Sequence, residues 1–310
     1  MNDSNNKMLK FKRISCSDRE LYQRYMPDGT ERGCEFSFGN LYMWGRQNIV
    51  EAYGHLILFS QFDRKSVYPY PMGKGDKKQA IDAIILDAEA RGISCRITGL
   101  SAEARENIER LYPGKFRYHC DEGAFDYVYD INDLADLKGK KYHSKRNHLN
   151  RFYEAYPDWK TEPFSESNAD AVSDMVNKWY EEKIADNPNS DFHMEKVALE
   201  KALSKYEQIG LEGLVLYVND EVAAFTMGSF LSEEMIDIHF EKARSDVQGA
   251  YAAINCEFAK FLRCKYPNLK YLNREEDMGL EGLRKAKRSY KPHHMIAKCW
   301  ACLLEDGYEY

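Results

Sequence analysis

The chain lacks any long apolar run. Nowhere do about 18 apolar residues follow one another, the length that a membrane-spanning helix needs, so we expect no such helix. Residues 1–10, MNDSNNKMLK, also lack the apolar stretch of a signal peptide, which favours a cytoplasmic location. Positive charge is not in excess, because 44 Lys and Arg residues stand against 50 Asp and Glu residues. A net charge of -6 excludes a protein that coats nucleic acid with its whole surface, but leaves room for a local basic groove.

Cysteine and histidine are too scattered for a disulfide framework or a metal centre. Eight cysteines spread over 310 residues predict reduced thiols. Cys299 and Cys302 form a C-x-x-C pair, but no following helix and no second ligand pair accompany it, so we interpret both as buried structural thiols. The eight histidines form no H-x-x-x-H pair, and no metal site is predicted. No Ser-His-Asp or Cys-His pattern supplies a nucleophile, which favours direct transfer chemistry.

The length of 310 residues suits two domains of about 150 residues each. Both halves repeat one order of elements: a hairpin, a further strand, a glycine turn and a helix. We predict an α+β fold with α and β mixed, in two tandem domains, each a mostly antiparallel mixed sheet flanked by helices. The predicted boundaries are 1–135 for the first domain, 136–158 for a basic connecting segment and 159–310 for the second domain.

The first half contains an aromatic cluster, FSFGNLYMW, at residues 36–44. A hairpin is predicted over residues 48–61 with its pivot at Gly54. A helix is predicted between an N-cap at Asp76 and a terminating Gly92. Strands near residues 115–120 and 125–130 are expected to close the first domain.

Residues 138–151, KGKKYHSKRNHLNR, form a basic segment without an acidic side chain. We expect this segment to join the two halves and to lead into a helix that ends before Pro157. Its basic side chains form either a solvated linker face or a rim that binds phosphate or RNA. The second alternative makes the segment a candidate contact for tRNA.

The predicted strand 235–241 alternates apolar and ionisable residues. With a side-chain period of two, one face carries Ile236, Ile238 and Phe240, and the other carries Asp237, His239 and Glu241. Such a polar face either meets water or lines a polar site. A histidine beside two carboxylates suits general-base chemistry, so the three ionisable residues are the catalytic candidates.

A glycine turn follows this strand, and at Gly249 the chain passes into a predicted helix that begins with Ala250 and Tyr251. Such a turn exposes N–H groups and the positive end of the helix dipole, which suits a pyrophosphate, although many strands join helices in this way. The segment resembles the GNAT acyltransferase superfamily, whose glycine turn holds the pyrophosphate of coenzyme A. The resemblance makes these three residues candidate cofactor contacts. Asp246 and Tyr251 depart from the superfamily pattern, which has Arg or Gln and Gly or Ala there.

The most distinctive segment is YLNREEDMGLEGLRKAKRSYKP, residues 271–292. A strand and a polar loop lead into a predicted helix over 279–289. The acids of the loop and the bases of the helix form either an ion-pair network or a site for a zwitterionic substrate. The candidate substrate-binding residues are Asn273, Glu275, Glu276, Arg284, Lys287, Arg288 and Tyr290.

This segment resembles bacterial proteins related to the C-terminal domain of phosphatidylglycerol lysyltransferase. The shared signature G-L-x-x-x-K-x-x-F/Y-x-P falls on Gly282, Leu283, Lys287, Tyr290 and Pro292. The FSFGNLYMW and KYHSKRNH stretches resemble the same branch. The resemblance implies tandem GNAT-like domains and a relationship to the Fem transferases, which move an aminoacyl group from aminoacyl-tRNA to an amine or hydroxyl. A lipid, a peptide and a small molecule all remain open as the acceptor.

Three hypotheses of function follow. The leading one is an acyl- or aminoacyltransferase in which Glu241 or His239 takes a proton from the attacking group, the basic helix residues bind anions, and the loop residues hold an amine. The second is a coenzyme A-dependent N-acetyltransferase, and the third is a non-catalytic binding or regulatory module. Convergence of the polar residues of 237–241 and 273–277 in one cleft favours an enzyme, whereas their scatter favours the module.

Overall fold

The computed structural model of the chain describes residues 8–26, 32–44, 47–62, 65–186, 188 and 192–304. Residues 1–7 of the polar N-terminal segment lie outside the described residues. The described part contains fifteen strands and ten α-helices. None of these helices is both long and apolar enough to cross a lipid bilayer.

The first half of the chain builds most of one sheet and its helices. Its elements are β1 (Lys12–Arg13), α1 (Arg19–Tyr25), α2 (Phe38–Met43), β2 (Gln47–Ala52), β3 (His55–Phe62), β4 (Lys65–Pro69), β5 (Met72–Gly73), α3 (Lys77–Arg91), β6 (Arg96–Leu100), α4 (Ala102–Leu111), β7 (Phe116–Cys120), β8 (Asp126–Asp130) and α5 (Ile131–Asp136). The predicted ends of α3 are confirmed. The Asp76 side chain accepts from the first N–H groups of the helix, and Gly92 adopts the left-handed conformation with φ 64°.

The second half builds most of the other sheet. Its elements are α6 (His143–Ala155), β9 (Lys160–Pro163), α7 (Glu166–Asp186), α8 (His193–Ile209), β10 (Leu211–Val218), β11 (Glu221–Ser232), β12 (Met235–Ala243), α9 (Ala250–Lys265), β13 (Tyr271–Asn273), α10 (Glu281–Ser289), β14 (His294–Ile296) and β15 (Cys299–Leu303). The helix predicted to end before Pro157 is α6.

The two sheets exchange strands. The first sheet runs β1-β2-β3-β4-β6-β15-β7, with β5 paired to β3, and the second runs β14-β8-β13-β12-β11-β10-β9. The expectation that the strand near 125–130 closes the first domain is therefore wrong, because β8 pairs with β13 and β14 of the second sheet. Conversely, β15 lies between β6 and β7 of the first sheet. The domain boundaries at 135 and 159 stay predictions.

A disulfide joins the two halves at this exchange. Cys120 of β7 and Cys299 of β15 lie directly opposite each other and are bonded across 179 residues of sequence. The prediction that both C-x-x-C residues are buried structural thiols is thus wrong for Cys299, which is disulfide-bonded, and Cys302 is a free thiol that is only half-buried. Sequence spacing cannot reveal such a pair, because only the insertion of β15 beside β7 brings the two cysteines together.

Strands β12 and β13 diverge after a short parallel pairing, and this divergence opens the site. They pair over Met235–Asp237 and Tyr271–Asn273, and β12 then continues to Ala243 beside β11 alone. Apolar cores cover both faces of β12. On one face Ile236 and Ile238 pack with α9. On the other face Met235 and Phe240 pack in the core that is shared with the first half of the chain. The polar residues that follow the pairing therefore lie between the two halves of the chain.

Candidate functional site

A β-bulge at His239 changes the faces of strand β12. Phe240 of β12 pairs with Met227 of β11, and Ile238 pairs with Gly228, the residue after Met227. His239, between Phe240 and Ile238, is therefore an extra residue in β12. Phe240 consequently packs in the core opposite to that of Ile236 and Ile238. The predicted strict alternation is wrong beyond the bulge, and Glu241 leaves the face that holds Asp237 and His239.

His239 lies at the centre of a buried polar cluster. Its Nε2 is 2.8 Å from Ser229 Oγ, while Nδ1 lies 3.4 Å from Asp237 Oδ2 and 3.5 Å from Glu275 Oε1. Neither Nδ1 nor Asp237 Oδ1 has a hydrogen-bond partner among the described residues. Burial and the carboxylates of Glu275 and Asp126 raise the pKa of Asp237 well above its usual value. The cluster is therefore arranged to accept a cation or a proton.

The first half of the chain supplies helix α2 to this cluster. Ser37 caps the helix by accepting from the N–H of Asn40. The Asn40 amide donates to Glu275 Oε1 at 3.0 Å and to the Cys34 carbonyl at 3.0 Å. The FSFGN part of the aromatic cluster thus positions a carboxylate that belongs to the other end of the chain.

Glu241 lies on the other side of the bulge in a separate ion pair. Its Oε1 accepts from Arg274 Nη2 at 2.7 Å, and its Oε2 accepts from Asn255 of α9 at 3.3 Å. Arg274 lies 5.3 Å from the ring centre of Tyr290, and burial raises the pKa of Tyr290 to about 12. The predicted site residues Glu241 and Tyr290 thus both lie beside Arg274, but Glu241 already accepts hydrogen bonds from two donors.

Lys287 holds the loop that carries the acidic candidates. Its buried ammonium donates to the carbonyl oxygens of Arg274, Glu275 and Glu276, the last at 2.8 Å. An ammonium has three hydrogens, and these carbonyls account for all of them. The lysine of the sequence signature therefore fixes the backbone of the loop rather than offering a donor to an anion.

Of the other basic candidates of α10, Arg284 forms an internal ion pair and Arg288 lies on the surface. Arg284 donates through Nε and Nη2 to the two oxygens of the buried Asp277, at 2.8 and 3.1 Å. Tyr127 and the Gly279 N–H donate to the same carboxylate. This network fixes the turn into α10, whereas Arg288 is exposed on the helix surface.

A second acidic cluster surrounds Lys298. The Lys298 ammonium lies 2.7 Å from Asp126, 3.0 Å from Glu276 and 3.4 Å from Glu35. Asn273, one of the predicted site residues, donates to Asp126 at 2.9 Å. Cys34 Sγ lies 3.4 Å from the same ammonium.

Several residues of the site could not be predicted from the sequence, among them Cys34, Glu35, Asp126 and Lys298. They have no shared motif. Residues 34 and 298 are 264 positions apart in the chain. Only the exchange of β8 and β15 between the sheets brings these residues together.

Two cavities share lining residues from the His239 cluster. The first, of about 670 Å³, lies between the diverging strands and is lined by residues of α6, α9 and α10. The second, of about 630 Å³, lies towards the first half and includes Asn40, Trp44 and Lys298. Both share His239, Glu275 and Glu276. One cleft thus brings together five polar residues of 237–241 and 273–276, the arrangement expected of an enzyme: His239, Glu241, Arg274, Glu275 and Glu276. Asp237, Asn273 and Asp277 are fully buried beside it.

The glycine turn before α9 is present, packs against α6, and has Gly249 and Tyr251 in the wall of the first cavity. Gly249 caps α9 with φ 87°, and a β-carbon there would lie 3.0 Å from the Phe152 Cβ and 3.2 Å from the His148 carbonyl of α6. Ala250 is buried, and Tyr251 lines the first cavity. Asp246 pairs with Arg244 away from this cleft. The three predicted cofactor contacts therefore line a turn packed by a helix.

Helix α6 brings the basic segment to the first cavity. Lys145 and His148 line the cavity, and the Lys145 ammonium lies 4.0 Å from the ring centre of Tyr290. Burial and the charge of Arg274 lower the pKa of Lys145. Tyr142 donates to the Tyr290 carbonyl, which ties the segment to α10. This part of the segment belongs to the cleft wall rather than to a solvated linker.

Two groups of side chains have a spacing that a metal ion could use. The ligand atoms of Asp237, His239 and Glu275 lie within 4.8 Å of one another, as do those of Cys34, Glu35 and Asp126. In the second group the Lys298 ammonium already supplies a cation. The prediction that the protein binds no metal stays a prediction.

Comparison with known proteins agrees with this architecture. Residues 28–302 match the model of the family described as phosphatidylglycerol lysyltransferase, C-terminal. A conserved protein of unknown function from Bacteroides thetaiotaomicron is 35% identical with a TM-score of 0.91, over 96% of this chain and 100% of that chain. A curated relative, the uncharacterized protein MYCGA3080 of Mycoplasmoides gallisepticum, is 26% identical over 178 residues, 57% of this chain and 56% of that protein. The chain thus matches just over half the length of that curated relative.

More distant structures share the fold. L-PGS from Bacillus licheniformis has a TM-score of 0.69 at 16% identity, over 94% of this chain and 93% of that chain. FemX has a TM-score of 0.58 at 10% identity, over 96% of this chain and 98% of that chain. The predicted resemblance to the lysyltransferase and Fem group and the predicted mixed, GNAT-like fold are confirmed.

Proposed function

Because the chain belongs to the family described as phosphatidylglycerol lysyltransferase, C-terminal, we propose that it is an aminoacyltransferase that moves an activated aminoacyl group to an amine or hydroxyl acceptor. One observation carries the proposal: His239 Nδ1 lies between the carboxylates of Asp237 and Glu275 where two cavities meet. A donor and an acceptor can each approach this group through one of the two cavities.

The carboxylates hold the ammonium of the aminoacyl group. Glu275 lines both cavities, and an ammonium beside it would replace the solvation that the neighbouring, fully buried Asp237 has lost. Asn40 keeps Glu275 oriented by donating to its Oε1. The ester carbonyl next to that ammonium then lies close to His239.

His239 is the proton acceptor. In the tautomer that donates Nε2–H to Ser229 Oγ, Nδ1 has a lone pair directed into the cluster. The acceptor nitrogen or oxygen attacks the ester carbonyl and gives its proton to Nδ1. The bond from the carbonyl carbon to the donor oxygen then breaks, and the departing donor oxygen takes the proton from His239 Nδ1. Asp237 and Glu275 stabilise the imidazolium between these steps.

The donor is an aminoacyl-tRNA, and the protein acts in the cytoplasm where charged tRNA is found. Lys145 and His148 of α6 line the first cavity and lie where a terminal phosphate of the donor would pass. Glu241 orients Arg274 in the same wall through the 2.7 Å ion pair. The acceptor is a lipid headgroup, a peptide or a small molecule that enters by one of the two cavities.

The proposal is tested with tRNA charged with labelled amino acids and with lipid vesicles, peptides and small amines as acceptors. Labelled product is expected with the native chain, and His239→Gln is expected to lower its rate by about 10²–10⁴-fold. His119→Gln is the control, because His119 stacks on Trp300 outside the cleft and its loss leaves the rate unchanged. Absence of transfer from every charged tRNA contradicts the function, and full activity of His239→Gln contradicts the role of His239.

A further inference from the structure

The imidazole of His239 and two carboxylates have the spacing of metal ligands. His239 Nδ1 lies 3.4 Å from Asp237 Oδ2 and 3.5 Å from Glu275 Oε1. A tetrahedral zinc ion with bonds of about 2.0–2.2 Å to nitrogen and oxygen holds neighbouring ligand atoms about 3.4 Å apart. The ligand atoms of the three residues all lie within 4.8 Å of one another. One ion can therefore bond to all three side chains with little movement of any of them.

Two atoms of this group point to a missing ligand. The side chains of His239 and Asp237 are only 1% and 0% exposed, and His239 Nδ1 and Asp237 Oδ1 have no hydrogen-bond partner among the described residues. A buried polar atom without a partner costs free energy, which a bound cation recovers. Burial and the nearby carboxylates also raise the pKa of Asp237, as expected where carboxylates lie together without a cation between them.

The neighbouring side chains orient the three ligands. His239 Nε2 lies 2.8 Å from Ser229 Oγ, and the tautomer that donates Nε2–H leaves on Nδ1 the lone pair that a metal needs. The Asn40 amide donates to Glu275 Oε1 at 3.0 Å and lies 3.4 Å from Asp237 Oδ2. A carboxylate oxygen has two lone pairs, so each oxygen can accept from Asn40 and still bind an ion. Such hydrogen bonds around the ligands are typical of metal sites.

The cleft gives an ion access to this group. His239 and Glu275 line both cavities, and the Glu275 side chain is 24% exposed, so an ion approaches the fully buried Asp237 past these two residues. Three protein ligands leave a fourth position of a tetrahedral site for water. The group of Cys34, Glu35 and Asp126 differs, because the Lys298 ammonium already lies 2.7 Å from Asp126.

We propose that Asp237, His239 and Glu275 form a binding site for a divalent transition-metal ion such as zinc. One imidazole and two carboxylates suit an ion that accepts both nitrogen and oxygen ligands. An ion on Nδ1 and a proton on Nδ1 exclude each other, so the bound metal inhibits the transfer. The site goes beyond the proposed function, and only its inhibitory effect rests on that function. The proposal is contrary to the sequence-based prediction of no metal, and a titration decides between them.

The test is isothermal titration of the chelator-treated native chain with zinc chloride. About one equivalent is expected to bind at this site, and His239→Gln and Asp237→Asn are each expected to weaken that binding by at least about tenfold. His293→Gln is the matched control, because His293 and His294 form an exposed pair outside the cleft that also attracts zinc. This variant is expected to keep the tight equivalent.

If the cluster variants do not fold, zinc is located instead by anomalous scattering in crystals of the native chain. Density bonded to His239 Nδ1 and the two carboxylates supports the site. No binding, binding that survives in folded His239→Gln, or zinc found only elsewhere overturns the site, and each of these results leaves the proposed transferase intact. Zinc that occupies the site without slowing aminoacyl transfer overturns the inhibition and, with it, the role of Nδ1 as proton acceptor.

Discussion

Gly39 lies against His239 so closely that a β-carbon at residue 39 would be 2.6 Å from the imidazole Nε2 and 2.7 Å from Ser229 Oγ. Helix α2 of the first half can therefore approach strand β12 of the second half only with glycine at this position. Because Asn40 follows Gly39 and bonds to Glu275, the close approach also determines where that carboxylate lies.

Gly39→Ala is expected to lower the free energy of unfolding by about 1–3 kcal/mol, because the added methyl group forces α2 and His239 apart. Denaturant unfolding measures this change, and the imidazole NMR signals of His239 are expected to shift with it. Gly282→Ala is the matched control. Gly282 lies in α10 with nothing within 4 Å of the added β-carbon, so alanine stabilises that variant by up to about 1 kcal/mol. An unchanged stability of Gly39→Ala contradicts the close contact.

Local signals in the sequence predict the elements well but not their assembly. Asp76 and Gly92 delimit α3 because capping depends on neighbouring backbone groups. The face of Phe240 is mispredicted because a bulge depends on how β11 pairs with β12, which a period of two cannot show. His239, Asp237 and Glu275 are found from their ionisable character, whereas Lys298 is missed because it becomes part of the site only through the strand exchange.

The thiol count tests the strand exchange directly. Six of the eight cysteines are free in the structure, so a denatured, unreduced sample is expected to react with six equivalents of a thiol reagent and a reduced sample with eight. Loss of the disulfide in Cys120→Ser is expected to lower the free energy of unfolding by about 2–4 kcal/mol, because the bond closes a long loop. Cys264→Ser, on an exposed free cysteine, is the control. Eight reactive thiols without reductant would show that the bond is not formed.

Acid is expected to weaken the turn into α10 through Asp277. The hydrogen bonds from Arg284 and Tyr127 hold the pKa of Asp277 well below its ordinary value of 3.8. Because the folded pKa is the lower one, this stabilisation is fully present above pH 3.8 and is lost as the pH falls towards the folded value. Asp277→Asn is expected to reduce stability by about 1–3 kcal/mol at pH 7 and by progressively less below pH 3.8.

Urea unfolding at several pH values measures this difference between the native chain and Asp277→Asn. The control is Asp170→Asn, on an exposed residue, which is expected to follow the native chain throughout. If the free energies of unfolding of Asp277→Asn and the native chain differ by the same amount from pH 7 to pH 2, the charge of the Asp277 carboxylate does not contribute to stability.

Coenzyme A is expected not to bind at the glycine turn, because α6 packs against Gly249, Ala250 is buried and Asp246 is held by Arg244 elsewhere. A ligand at about 100 times its dissociation constant stabilises a protein by roughly 2.7 kcal/mol, or about 5–10 °C in melting temperature for domains of this size. We expect millimolar coenzyme A and acetyl-coenzyme A to shift the melting temperature by less than about 1 °C. A shift of several degrees with either coenzyme would mean that α6 moves away from Gly249, and it would favour the N-acetyltransferase hypothesis over aminoacyl transfer.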